Sequence, residues 1–95
     1  MKQYPLVVGS VVRSMAGRDR GRLFVVIREL DADFVEMVNG KLRGMERPKR
    51  KRRRHLKPTG AIVEAIPERM QAGAAIENAE IRSWLKKEEE RLVQV

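Results

Sequence analysis

Two apolar runs flank Ala16-Gly17-Arg18-Asp19-Arg20-Gly21, and a third follows Asp31-Ala32-Asp33. Val11 and Val12 belong to the first run, Leu23, Phe24, Val25, Val26 and Ile27 to the second, and Val35, Met37 and Val38 to the third. Short runs of β-branched and bulky apolar residues, separated by turn residues, predict three antiparallel strands. Gly21, with Gly17 before it, supplies the positive φ that a tight bend needs and lets the second strand leave the loop at an angle closed to other residues. Arg18, Arg20 and Arg22 are then expected at the tip and flank of one hairpin, within reach of an anionic partner.

The second run is continuously apolar, as a strand covered on both faces must be. Phe34 to Val38 alternates instead, with Val35 and Met37 on one face, and Phe24 and Phe34 are both assigned to core strands. Asn39-Gly40 predicts a type I′ turn with another strand directly after it, beginning near Lys41 or Met45. Pro48 confines that strand to an edge. Pro58-Thr59-Gly60 reads as a turn and Ala61 to Ile66 as the last strand of a small barrel. Tyr4-Pro5 reads as an extended lead-in, with Tyr4 expected to cover the barrel's open end. A helix is expected from Pro67 to Gly73, and a second after Asn78, read as its N-cap. Ile81, Trp84, Leu85 and Leu92 recur at helical spacing. That stripe either packs on the barrel, the preferred reading, or binds a partner.

The segment Gly9-Ser10-Val11-Val12-Arg13-Ser14-Met15-Ala16-Gly17-Arg18-Asp19-Arg20-Gly21-Arg22-Leu23-Phe24-Val25-Val26 resembles the KOW motif, with Gly21 at the motif's glycine. Arg47-Pro48-Lys49 and His55-Leu56 are similar to residues of the archaeal and eukaryotic large-subunit ribosomal proteins of the fourteen-e type, which extends the likeness to roughly Gly9 to Gly60. Small stand-alone KOW-domain proteins of Gram-positive bacteria are similar too, and elongation factors of the NusG type carry the same motif. The resemblance implies an SH3-like barrel whose glycine loop touches RNA or protein. The expected fold is therefore mainly β: residues 1–66 form a KOW/SH3-like barrel of about five strands including the basic run 47–57, and residues 67–95 form a C-terminal helical appendage packed on it.

Charge points to the same partner class. The formal net charge is +8, and eight Lys or Arg with no acid lie between Arg47 and Lys57, so the remaining 13 basic residues balance the 13 acids. A block of that density repels itself unless a polyanion lies beside it. The chain has no cysteine, which excludes disulfides, thiolate metal sites and zinc fingers. No apolar run approaches the ~20 residues that span a bilayer, and no signal-peptide pattern opens the sequence, so a cytoplasmic protein is expected.

Catalytic chemistry is poorly provided for. His55 is the single histidine, with no Ser or Cys partner indicated, and reads as structural or RNA-contacting. Asp31 and Asp33 sit at a turn, where capping of the backbone is their expected role. The Gly17 to Arg22 loop lacks the Gly-Lys-Ser/Thr ending of a phosphate-binding P-loop. No catalytic residue, metal site, cofactor or small-molecule substrate is expected. The expectation is a non-enzymatic RNA-binding protein recognising structured RNA, ribosomal RNA foremost, through Arg13, Arg18, Arg20, Arg22, Lys49, Arg50, Lys51, Arg52, Arg53, Arg54 and His55. Few aromatic residues are placed to stack on bases, so shape and backbone contacts are expected over a single-strand code. Phosphate contacts alone leave duplex DNA open. The alternative is a protein-interaction module docking on the ribosome or the transcription machinery, with no membrane partner in either case.

Overall fold

In the computed structural model, which describes residues 6–93, the continuous apolar run becomes a strand buried on both faces. This strand is β2, Leu23–Glu29. Leu23, Val25 and Ile27 enter one core cluster, whereas Phe24 and Val26 enter another. Around it stand β1, Ser10–Ser14, β3, Phe34–Val38, β4, Lys49–Arg52, and β5, Leu56–Ile62. All pairings are antiparallel, in the order β4-β3-β2-β1-β5. β4 and β5 are therefore opposite edges of the sheet, yet only a 3-10 turn, Arg53–His55, separates them in the chain. The sheet must curl until its edges approach. Backbone hydrogen bonds carry both edge pairings into that turn: Arg53 N–H donates to the Asp33 carbonyl at 2.8 Å, continuing β3 with β4, and Met15 N–H to the His55 carbonyl at 2.8 Å, continuing β1 with β5.

The inside of the curl is filled by Leu6, Val12, Phe24, Val26, Val35, Met37 and Leu56. Its outside is covered by helices. α1, Ala65–Ala72, contributes Ile66, and α2, Asn78–Val93, contributes Ile81 and Leu85, which meet Val11, Leu23, Val25, Ile27 and Val38. Trp84 and Leu92 are partly buried against the same cluster, so the apolar stripe of α2 faces the sheet, as the preferred reading had it. Among the described residues no helix is long and apolar enough to cross a membrane. Tyr4 lies outside the described residues.

The Asn39-Gly40 expectation is overturned. A type I′ turn needs positive φ at both central residues, and no non-glycine residue described here has it. Asn39 instead uses its side chain: Oδ1 accepts from Lys41 N–H and Arg43 N–H, each at 3.0 Å, and closes a wider loop. β4 consequently begins only at Lys49. Packing explains the choice, because Gly40, at φ 77°, lies where a Cβ would stand 2.6 Å from the Asn78 carbonyl and 2.9 Å from Arg82 Cγ. Gly21 has a similar φ of 89° and open space around it. Gly40→Ala is expected to cost about 2–4 kcal/mol, from left-handed strain plus overpacking, against about 1–2 kcal/mol of strain alone for Gly21→Ala. Urea midpoints of the two variants check this; equal losses would remove the packing argument.

Three further expectations are corrected. Pro58-Thr59-Gly60 lies inside β5 rather than in a turn, and Ala65 and Ile66 begin α1 rather than end a strand. Pro58 is tolerated because, among the described residues, β5 pairs with β1 alone and its other edge makes no ladder. Pro67 falls in the first turn of α1, where its missing N–H has no intrahelical acceptor to lose. Asn78 does not cap its own helix. Its Oδ1 accepts from Met45 N–H at 2.8 Å and its Nδ2 donates to the Glu46 carboxylate, clamping the β3–β4 loop to α2. Glu80 serves the helix start instead, accepting from Glu77 N–H at 3.2 Å while binding Arg69 of α1. The Arg69 hydrogen bond, then the Glu77 N–H, hold the Glu80 carboxyl below the usual carboxylate range.

Candidate nucleic-acid interface

The β1–β2 loop separates its charges by direction. Backbone bonds from Gly21 N–H to the Ser14 carbonyl, 2.7 Å, and from Arg22 N–H to the Asp19 carbonyl, 2.9 Å, close the turn. Arg18, Arg20 and Arg22 are exposed on it, while Asp19 between them is buried. Asp19 Oδ2 lies 3.0 Å from Lys49 Nζ and 4.0 Å from Lys51 Nζ. Among the described residues no aligned hydrogen bond reaches that oxygen, so the contact is ionic in character. Lys51 Nζ also donates to the Ala16 carbonyl at 2.9 Å. Two lysines of the basic strand thus run under the arginine loop and fix it to β4.

The other face of β4 carries Arg50 and Arg52. Opposite them on β3 stand Glu36 and Phe34, by the ladder Arg50↔Glu36 and Arg52↔Phe34. Arg50 Cζ is 4.0 Å and Arg52 Cζ 4.7 Å from the centroid of the Phe34 ring, within cation–π range. Phe34 therefore leaves the core assigned to it from sequence. It is half-buried, belongs to neither core cluster, and supports two guanidinium groups. The parity of β3 sets the face: with Val35 and Met37 inside the curl, Phe34, Glu36 and Val38 take the other face, which the helices cover at Val38 while Phe34 lies outside that cluster. At the start of β3, Asp31 Oδ1 accepts from Asp33 N–H and Phe34 N–H, both 2.8 Å. Those two donors lower its pKa and give it the expected capping role.

An extended run would put Arg50, Arg52 and Arg54 on one face and Lys51, Arg53 and His55 on the other, but that alternation ends where β4 ends. Arg50 and Arg52 share one face and Lys51 takes the other, but the 3-10 turn removes Arg53, Arg54 and His55 from that pattern. Arg53 is engaged within the fold: Nε donates to the Asp31 carbonyl at 3.0 Å, Nη1 to the Leu6 carbonyl at 3.2 Å, and Nη2 to Glu29 at 3.1 Å. Arg13 is engaged likewise, with Nη1 on the Gly21 carbonyl at 2.6 Å and Nη2 on Glu89 of α2 at 2.9 Å. His55 is half-buried and Arg54 exposed.

The arginines and lysines expected to bind RNA thus divide into two groups. Arg13, Lys49, Lys51 and Arg53 are tied to acids or carbonyls of the fold, while Arg18, Arg20, Arg22, Arg50, Arg52 and Arg54 are exposed and make no ion pair among the described residues. Exposed guanidiniums with planar donor forks suit phosphate, and stacked ones suit a base or a second ring. Among the described residues no three His, Asp or Glu side chains converge as metal ligands. Comparison with known proteins returns no match to any family model and none to a curated protein.

Proposed function

We propose that the chain is a non-enzymatic RNA-binding module of the KOW type, an SH3-like barrel acting in the cytoplasm on structured RNA, with ribosomal RNA the foremost target. One observation carries the reading: Asp19, Lys49 and Lys51 join the arginine loop to β4, so that two sets of exposed arginines are held on one framework. The curled five-stranded sheet and the Gly21 loop support the KOW resemblance. Arg18, Arg20 and Arg22 contact one stretch of backbone; Arg50, Arg52 and Arg54 contact a neighbouring stretch. Docking on a protein through the Trp84 stripe has less support, since Ile81 and Leu85 are already buried against the sheet.

A salt series on a ribosomal RNA hairpin tests the proposal. Six phosphate contacts predict a log–log slope of about −4 to −5, between the roughly −0.7 per contact of single strands and the roughly −0.9 of a B-form duplex. The hairpin is expected to outcompete a DNA duplex of the same length. Equal affinity for both would leave a general polyanion binder, and association with ribosomal particles that survives complete nuclease digestion would favour a protein partner.

A further inference from the structure

A groove of about 460 Å³ lies between the β1–β2 loop, the β3–β4 loop and α2. Leu23 and Leu85 line it, and Arg22, Lys41, Arg82 and Lys86 bring four cations from three separate segments. Glu89 is the single acid in the lining, and its carboxylate already pairs with Arg13 at 2.9 Å. Arg82 Nη1 donates to the Gly40 carbonyl at 2.6 Å, which fixes the guanidinium without cancelling its charge. Neither Arg22, Lys41 nor Lys86 forms an ion pair among the described residues. Four cations around one apolar patch create a positive potential that solvent ions alone must otherwise satisfy.

We infer that this groove takes one nucleotide of the same RNA, its phosphates held by Arg22, Lys41 and Lys86 and its ribose and base lying against the aliphatic stems of those side chains and of Arg82, above the buried Leu23 and Leu85. The inference rests on the RNA-binding reading and adds α2 to the contact surface. Continuity favours RNA over an acidic peptide, because Arg22 belongs both to the groove and to the arginine loop. The volume falls within the ~300–1,000 Å³ of pockets that take a small organic group, and the aliphatic stems of its arginines and lysines supply apolar surface that suits a ribose and base rather than bare phosphate. α2 then has two faces with separate tasks: Ile81 and Leu85 hold it to the sheet, while Arg82 and Lys86 extend the cationic track beyond the loop.

The test compares three variants of the full chain on a ribosomal RNA hairpin bearing a single-stranded tail. K41A/K86A is expected to weaken binding on the order of tenfold near 0.1 M salt and to flatten the log–log slope by about 1.4. K41R/K86R keeps both charges and is expected to bind as the native chain does. R18A/R20A reports on the loop alone. If R18A/R20A loses affinity while K41A/K86A does not, the groove inference fails and the RNA-binding reading stands. If the native chain does not bind the hairpin even at low salt, both fail. A loss in K41R/K86R equal to that in K41A/K86A would also overturn the inference, since charge would not be the cause.

Discussion

Replacement of Arg18, Arg20, Arg50, Arg52 and Arg54 together by glutamine is expected to flatten the salt dependence of RNA binding by about 3.5–4.5 in log–log slope, at roughly 0.7–0.9 per lost phosphate contact. The same variant should fold. None of the five side chains makes an ion pair among the described residues, and exposed substitutions of that kind usually shift stability by no more than about 0.5 kcal/mol each. Arg50 and Arg52 also lose their contact with Phe34, about 0.5–1 kcal/mol each at an exposed site, partly offset by relief of repulsion among neighbouring cations. Arg53→Gln provides the contrast. It removes one charge from the same run, but that guanidinium has acceptors at Asp31, Leu6 and Glu29. A lower melting temperature with a nearly unchanged slope is expected there. Filter binding across salt, with a thermal melt of each variant, separates the two effects. A native slope in the five-arginine variant would mean that the exposed arginines are not the RNA surface.

The difference between those two arginine sets marks the limit of what the sequence could disclose. Composition located the basic block, and its run of like charges made every member an equal candidate for phosphate. Direction was not legible, because it depends on where β4 ends and the 3-10 turn begins. The strands around Gly21 were legible because their apolar runs obey local period and turn chemistry. Asn39-Gly40 had the right local chemistry for a hairpin, yet close packing of Gly40 on α2 selected a wider loop. Asn78 was misread for a related reason: a good capping residue found stronger use in satisfying Met45 N–H across the structure. Parity put Phe34 on the face opposite Val35 and Met37, but Val38 shares that face and is buried under the helices, so the exposure of Phe34 was not legible. Tertiary partners decided the rest.

Asp19→Ala is expected to be the most damaging substitution of a charged side chain, at about 2–3 kcal/mol, or roughly 10–20 °C in melting temperature for a domain of this size. Asp19 is the only acid in a loop of arginines, and its removal raises the net charge further, from +8 to +9. The cost arises from Lys51, whose side chain is only 10% exposed and keeps its charge with the Ala16 carbonyl as its remaining partner. Such a pair, partly reached by water, falls below the ~3–5 kcal/mol of a fully buried one. The double variant D19A/K51M removes both charges and is expected to recover much of the loss, because an apolar chain of similar length needs no counter-ion. If D19A melts within about 2 °C of the native chain, Asp19 is not the strut described. RNA affinity then gives a second, opposite-signed reading of the same residue. Electrostatics alone predicts tighter binding once an acid leaves a cationic surface, whereas loss of the link between the loop and β4 predicts weaker binding. We expect the second effect to prevail, measured at a temperature where D19A is still folded. A rise in affinity would show that the arginines find the backbone without being held in register, and that Asp19 serves stability alone.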